Sequence, residues 1–422
     1  MNLRNRFSPY TVYLFITAGL PFCLHIAFTI NLLFQVQEVG LSPLQLVLVG
    51  TVLEATAFIF EVPTGVVADV YSRRLSVIIG YFLLGSSVMM IGLLPHFETI
   101  LMAQVIAGIG YTFMSGAEEA WIADEIGEGQ VGPVYVRGSQ MEQFGRLAGA
   151  GVSVALASVS LTLAIVTSGA LVVLMGLILI VIMPERGFKP APREERSSFQ
   201  QMANTFVAGT QLVRRRPVLL TILGIAAFFG MFNEGWDRLW TALLLEQFTL
   251  PSIGPFNPVV WFGIFSAGVT VLSIVTLEFV RRNVNMGSHR AVTRTLFLIN
   301  GLLALSVVVY AVAGSYLLAV LSFFAASTLR QTVYPLTTAW VNQSIDSRVR
   351  ATVISMTSQA DAFGQIAGGP AIGAIGSFVS LRAALSTAGL VLTPGLGLYF
   401  RALRLGEGAK IVGDVGVDPQ QG

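Results

Sequence analysis

Runs of about 20 apolar residues recur along this chain, each long enough to cross a bilayer core about 30 Å thick. No other feature restricts the fold so severely. In hydrocarbon every backbone N–H and C=O must find a partner within the protein, so successive spans of this length are read as helices. Composition points the same way. Of the 422 residues 54% are hydrophobic and 11% charged, against about 25% charged in a soluble protein, so no ordinary wet surface can form. The pattern places twelve spans, the first six at 10–37, 43–68, 75–95, 98–122, 135–158 and 161–183. The second six fall at 217–247, 258–280, 293–313, 316–341, 351–376 and 382–403. The first run is too long for a signal-peptide core and has no small-residue cleavage pattern after it, so it is expected to persist as a spanning helix. It holds the sole cysteine, Cys23, which excludes an internal disulfide and is expected to be a buried thiol.

Between the two sets lies a polar stretch, Pro184 to Arg216, with Pro190, Pro192 and a mixed charge cluster at 193–196. Phe199, Met202, Phe206 and Val213 fall near one helical face and lead into Arg214, Arg215 and Arg216. That pattern suits a short helix on the membrane surface; a disordered linker is the alternative. The expected divisions are an N-terminal bundle at 1–183, a linker at 184–216, a C-terminal bundle at 217–404 and a mobile tail at 405–422. Orientation follows from the basic residues. With both termini in the cytoplasm, only Arg382 of the 25 basic residues faces outward, and Arg146, Arg238 and Arg330 lie within spans. The expected setting is a bacterial-type inner membrane. The chain is expected to be a multi-pass monomer with the lipid bilayer as its partner and none in nucleic acid.

The two halves repeat. Ala120-Trp121 recurs as Ala339-Trp340. The run Ser139 to Gly149 recurs, at the same offset, as Ser358 to Gly368, with Gln140, Phe144, Gly145 and Gly149 matching Gln359, Phe363, Gly364 and Gly368. Identical spacing from the tryptophan to the glycines marks two six-helix halves in parallel orientation, related by an axis along the membrane normal. The expected fold is all-α: twelve transmembrane helices in two pseudo-symmetric six-helix bundles.

Between the second and third spans stands Gly65-Val66-Val67-Ala68-Asp69-Val70-Tyr71-Ser72-Arg73-Arg74, with a shorter echo at Asn285 to Arg290. Read by itself, it is a glycine that lets helices approach, an aspartate one turn later and two arginines in a tight turn. A charged turn obeying the positive-inside rule would look alike. The stretch resembles the loop signature of the major facilitator superfamily, G-x-x-x-D-x-x-G-R-R/K. Gly65, Asp69, Arg73 and Arg74 match; Ser72 stands where the family prefers glycine, and Val70 where a basic residue is common. The resemblance covers about residues 8–404. It implies that Asp124, at the end of the fourth span, pairs with Arg73, and that Asp69 lies against the start of the eleventh helix. A solvated acidic cap is the plain alternative for Asp124.

No engine or catalytic signature is present. The sequence lacks G-x-x-x-x-G-K-[ST], H-E-x-x-H and G-x-S-x-G, and His25, His96 and His289 lie far apart. No enzyme activity, metal or cofactor is expected, so energy would come from an ion gradient acting on ionisable groups within spans. A charge at mid-bilayer costs about 2.5–3.5 kcal/mol on the insertion scale. Glu54 lies about eleven residues into the second span, near the membrane centre at about 1.5 Å per residue, and is the first candidate proton carrier. A carboxyl held permanently by a neighbouring helix is its bland counterpart. Glu61, nearer the cytoplasm, is read as structural. Glu142 and Arg146, at i,i+4, can neutralise each other, whereas Asp361 at the repeat-related position faces Gln365, which makes it the better proton candidate. Gly145, Gly149 and Gly151 are expected to allow close helix packing. In the seventh span Asn233, Asp237 and Trp240 share one face and Glu234 and Arg238 another, with Trp236 in the same polar-aromatic stretch. They read either as a patch for an amphipathic cation or as a salt-bridged gate. Arg330, with Tyr334 one turn on, could hold an anion or serve as counter-charge for Glu54 or Glu234. His25 either titrates or is a hydrogen-bonded core residue.

The resemblance extends to tetracycline- and macrolide-type drug:proton antiporters. Gly364 to Gly373, with Pro370, resembles their G-x-x-x-G-P-x-x-G-G signature, which the fifth span carries only in part. Gln104 stands near the place of an arginine common in those proteins. The resemblance implies a secondary transporter working by alternating access, exporting amphipathic small molecules such as antibiotics in exchange for protons. Proton-coupled uptake of a metabolite anion, or a lipid flippase or non-transporting membrane sensor, remains open on sequence.

Overall fold

The computed structural model describes residues 7–190, 217–252, 259–344 and 347–405. The expected surface helix and charge cluster within 191–216, and the tail beyond Leu405, lie outside the described residues. Fifteen helices make up the described chain. They are α1 (Pro9–Phe28), α2 (Asn31–Gln37), α3 (Pro43–Val70), α4 (Arg73–Leu93), α5 (Phe97–Met114), α6 (Ala117–Ile126), α7 (Glu128–Ala157) and α8 (Leu161–Ile182). Then follow α9 (Pro217–Gln247), α10 (Val260–Asn283), α11 (His289–Ala311), α12 (Tyr316–Ser344), α13 (Ser347–Phe378), α14 (Leu381–Leu390) and α15 (Leu392–Leu405). Three passes are each built of two helices, α1 with α2, α5 with α6 and α14 with α15, which leaves twelve passes in an all-α fold.

Nine passes among the described residues are long and apolar enough to cross a membrane. The three that are long but more polar are α7, α9 and α13, of 30, 31 and 32 residues. They carry Glu142 and Arg146, Glu234 with Asp237 and Arg238, and Asp361. Polar groups within spans are costly facing lipid, so these helices mark interior positions. On α8 the division is plain: Ala164, Ser168, Val172, Met175 and Leu179 are buried, while Leu174, Leu177 and Val181 are exposed. Those side chains face solvent only if the solvent is lipid.

Serine punctuates the spans. Ser8, Ser42, Ser72, Ser160 and Ser288 each cap a helix by accepting a backbone N–H from its first turn, and Ser42 with Gln45 forms a full capping box. Ser72 is extended, with φ at −175°, so its turn has no need of glycine and the departure from the family pattern is accommodated. Gly116 is different. Its φ is 71°, in the left-handed region, and it breaks the fourth span between α5 and α6. Inside the first bundle, hydroxyls bridge helices. Ser168 Oγ donates to Cys23 O at 2.7 Å, Ser153 Oγ to Ile26 O at 2.7 Å and Ser76 Oγ to Phe113 O at 2.6 Å.

The chain divides into two compact units. The first gathers the described residues of 1–204 with Glu234–Gly268 and Gln365–Leu385; the second holds those of 205–233, Val269–Gly364 and 386–422. In the first unit α1 packs on α7, α4 on α5 and α8, and α3 on α5; in the second, α11 packs on α12 and α15. The repeat is visible at the closest approaches. A Cβ at Gly145 would collide with the carbonyl oxygen of Ala18, and one at Gly364 with that of Ala227. Gly149 meets Phe22 in the same way. Gly151 corrects the sequence reading, because nothing among the described residues lies within 4 Å of a Cβ there, and the same holds at Gly65 for the described residues. Gly65→Ala should therefore leave the melting temperature of the purified protein unchanged, or stabilise it by up to about 1 kcal/mol through helix propensity.

Candidate functional site

Three groups of residues carry chemistry. The first is a clasp at one end of the first unit. Arg73 Nη1 lies 2.7 Å from Asp124 Oδ2 and donates to Ala120 O at 2.5 Å. The buried Trp121 donates its indole N–H to Pro184 O at 2.7 Å. Glu185 accepts Ser72 Oγ at 2.7 Å and the backbone N–H of Arg74 at 3.0 Å, and Arg74 Nη2 donates to Ile180 O at 2.6 Å. Glu125 Oε1 accepts the N–H groups of Arg186 and Gly187. The turn before α4, the end of α6 and the segment after α8 are thus tied together. Glu185 and Glu125 escape a reading of the sequence because a polar stretch after a span looks like any solvated loop. The side chains at the start of α13, expected beside Asp69, lie outside the described residues.

The second unit has a counterpart. His289, first residue of α11 as Arg73 is of α4, accepts the indole N–H of Trp340 at Nδ1, at 3.1 Å. Trp340 is fully buried like Trp121 and lies 5.8 Å from the ring of Tyr399, centroid to centroid.

The second group is a charge cluster inside the first unit. Glu234 is 2% exposed and accepts Arg238 Nε at 3.3 Å. Gly50 of α3 makes room for the pair, since a Cβ there would strike Glu234 Oε1 and the Arg238 guanidinium. Gly369 of α13 does the same against Glu234 Cγ, at 2.7 Å. Glu54 of α3 has Arg238 and Asp237 as its principal charged neighbours, and Glu234 has Arg238, Asp237 and Glu54. Of the sequence-derived proton candidates, Glu234 is ion-paired with this guanidinium and Glu54 lies within reach of its field. Three carboxyls around it carry an excess of negative charge when all are ionised.

The third group is a pair of cavities, one in each unit. In the second unit a space of about 220 Å³ is lined by Phe229, Asn233, Tyr334, Thr337, Thr338 and Asp361 among others. Arg330 Nη1 donates to Asn233 Oδ1 at 3.1 Å. In the first unit a space of about 370 Å³ is lined by Tyr13, Glu118, Glu119, Tyr135, Ser139 and Glu142, with apolar Ile16 and Leu20. Glu142 there is ion-paired with Arg146. Two of the other candidates are not at either cavity. Trp236 is buried in packing at 2% exposure, and Trp240 stacks against Phe262 and Phe265 at 6.1 and 6.0 Å. His25 also stands apart, its Nδ1 3.1 Å from Pro21 O and its ring 6.2 Å from Phe28. In the sequence Glu118 and Glu119 read only as part of an acidic helix end.

Helices long and apolar enough to cross a membrane, an ion pair enclosed among them and a cavity in each unit mark a polytopic membrane protein. The Major Facilitator Superfamily profile matches residues 13–299, and the chain belongs to that superfamily. A curated relative, the uncharacterized MFS-type transporter YxaM of Bacillus subtilis (strain 168), is 31% identical over 101 residues. That match covers 23% of this chain and 25% of the relative. The chain is similar in fold to the nucleoside transporter NupG, with a TM-score of 0.70 and 15% identity over 96% of this chain and 99% of that one. It is similar also to a bacterial homolog of the human lysosomal transporter Spinster, with a TM-score of 0.70 and 15% identity over 94% and 97%. A peptide transporter POT in complex with sulfate gives 0.69 and 14% over 94% of each chain. At these identities the likeness concerns the fold alone.

Proposed function

We propose that the protein is a proton-coupled secondary transporter that exports amphipathic organic compounds, antibiotics among them, by alternating access. The observation that carries the coupling is the cluster of Glu54, Glu234 and Asp237 around Arg238. A single guanidinium in a low-dielectric interior stabilises one carboxylate well and three poorly. Taking up a proton relieves the excess charge, and releasing it restores the ion pair, so the cluster has two states of different electrostatics. Biasing such a two-state element is what coupling to a gradient requires. Gly65, Asp69, Arg73, Arg74 and Asp124 act in this reading as the gate that is broken and remade in each cycle. Asp361 and Glu142 are secondary proton sites, and Asn233, Tyr334 and Arg330 line the substrate path. Both termini face the cytoplasm, and the transporter works as a monomer.

The test is directional. Inverted membrane vesicles with an acid interior should accumulate a fluorescent amphipathic drug, and Glu54→Gln should reduce gradient-driven accumulation at least about 100-fold, the effect of removing a residue that acts as a unit with its neighbours. Undiminished accumulation in that variant removes Glu54 from the mechanism. A second reading, proton-coupled uptake of a small anion, is favoured by a guanidinium at Arg330, whose Nη1 donates to Asn233 Oδ1 in the wall of the second unit's cavity. Accumulation of anionic metabolites in right-side-out vesicles, with no drug export, would establish it instead.

A further inference from the structure

The repeat relates the two cavities position by position. Glu118 corresponds to Thr337, Glu119 to Thr338, Ser139 to Ser358 and Glu142 to Asp361, and all eight line their respective spaces. The fold therefore makes this cavity twice, and makes it once without the two glutamates. Their presence in the first unit is a property of the site and not of the architecture.

Within that first cavity the acids are not spent on internal partners alone. Glu142 is paired with Arg146. Glu118 is partly buried, and its Oε1, itself out of reach of solvent, has no hydrogen-bond partner among the described residues. A buried carboxylate oxygen without a donor costs several kcal/mol unless something supplies one. The break at Ser115 and Gly116 places Glu118 and Glu119 in the first turn of α6, and discontinuous helices border ligand sites in transporters. The walls set aromatic and apolar side chains beside the acids and the hydroxyls of Thr17 and Ser139. The rings of Tyr13 and Tyr135 lie 6.2 Å apart, tilted by 60°, and Ile16 and Leu20 complete the lining. Tyrosine faces attract an organic cation. No group of three metal-ligating side chains occurs among the described residues, so the lining does not suit a bare metal ion. The volume of about 370 Å³ falls within the range of small-molecule sites, about 300–1,000 Å³.

We propose that the first-unit cavity binds the cationic group of a lipophilic organic amine or onium ion, with Glu118 as its counter-ion and Tyr13 and Tyr135 as its aromatic walls. This deepens the export reading, and rests on it only for the ligand being cargo.

Purified full-length protein in detergent, with no gradient present, is titrated with radiolabelled tetraphenylphosphonium and separately with its neutral relative triphenylphosphine oxide. Saturable cation binding is expected. Glu118→Gln should weaken it by about 10-fold or more, equivalent to about 1.4 kcal/mol, leave the neutral compound unaffected, and be rescued by Glu118→Asp. Absence of saturable cation binding, or cation binding by Glu118→Gln equal to the unaltered protein, overturns the proposal. Equal loss of both probes overturns it too, since that makes Glu118 a packing residue. Should Glu118→Gln not fold, Tyr135→Leu serves: weaker cation binding with the neutral compound unaffected supports the site, and unchanged cation binding overturns it. Cation binding without proton-driven export in vesicles would sink the export reading and leave the site standing. Export of uncharged compounds with no cation binding would do the reverse.

Discussion

Arg238→Leu is expected to abolish gradient-driven transport and to destabilise the purified protein by about 3–5 kcal/mol, the cost of stripping a buried ion pair of one member. Glu234 is 2% exposed and has Arg238 as its ion-pair partner. Without the guanidinium, Glu234 and Glu54 would have to hold protons permanently, and the cluster would lose one of its two states. The check is a thermal unfolding curve paired with vesicle transport. The double variant Glu234→Gln with Arg238→Gln separates the two effects, because it removes charge of both signs. It should recover most of the thermal stability while transport stays absent. A single variant that melts and transports like the unaltered protein would show that the pair is dispensable.

Gly145→Val should prevent assembly of the first bundle. A Cβ at this position already collides with the carbonyl oxygen of Ala18, which belongs to helical backbone and cannot rotate away as a side chain can. Overpacking of this kind costs about 1–3 kcal/mol in soluble cores, and a clash with backbone lies at the upper end or beyond. The measurement is the yield of monodisperse protein on size exclusion after extraction, with Gly151→Val as control. Nothing among the described residues lies within 4 Å of a Cβ at Gly151, so that variant should extract normally. Equal yields would mean that α1 and α7 can separate at no cost.

Much of this is legible in the residues. The apolar runs mark the passes because hydrocarbon leaves a chain few alternatives, and the repeated tryptophan and glycine spacing marks the two halves. The pairing of Glu234 with Arg238 follows from their i,i+4 spacing alone. What the sequence does not yield depends on distant segments meeting. The fourth apolar run, read at 98–122, passes over Ser115 and Gly116 as one span, so neither the break there nor the placing of Glu118 at a cavity is visible in it. Glu54 joins Arg238 only because Gly50, one turn away on α3, lets α9 approach. Gly151 teaches the opposite lesson, since a glycine that the sequence offers for close packing has no described atom within 4 Å of a Cβ. Ser72 caps α4 and reaches Glu185, two tasks a glycine could not perform.

Trp121 and Glu185 have a mechanical consequence. The segment that leaves α8 is moored three times before it reaches Pro190, by the indole hydrogen bond to Pro184, by the Glu185 carboxylate on the turn before α4 and by Glu125 of α6 on the N–H groups of Arg186 and Gly187. A tug on the polypeptide beyond that point is delivered sideways, to the helix bearing Glu118 and to the arginine turn, before it is felt along the axis of α8.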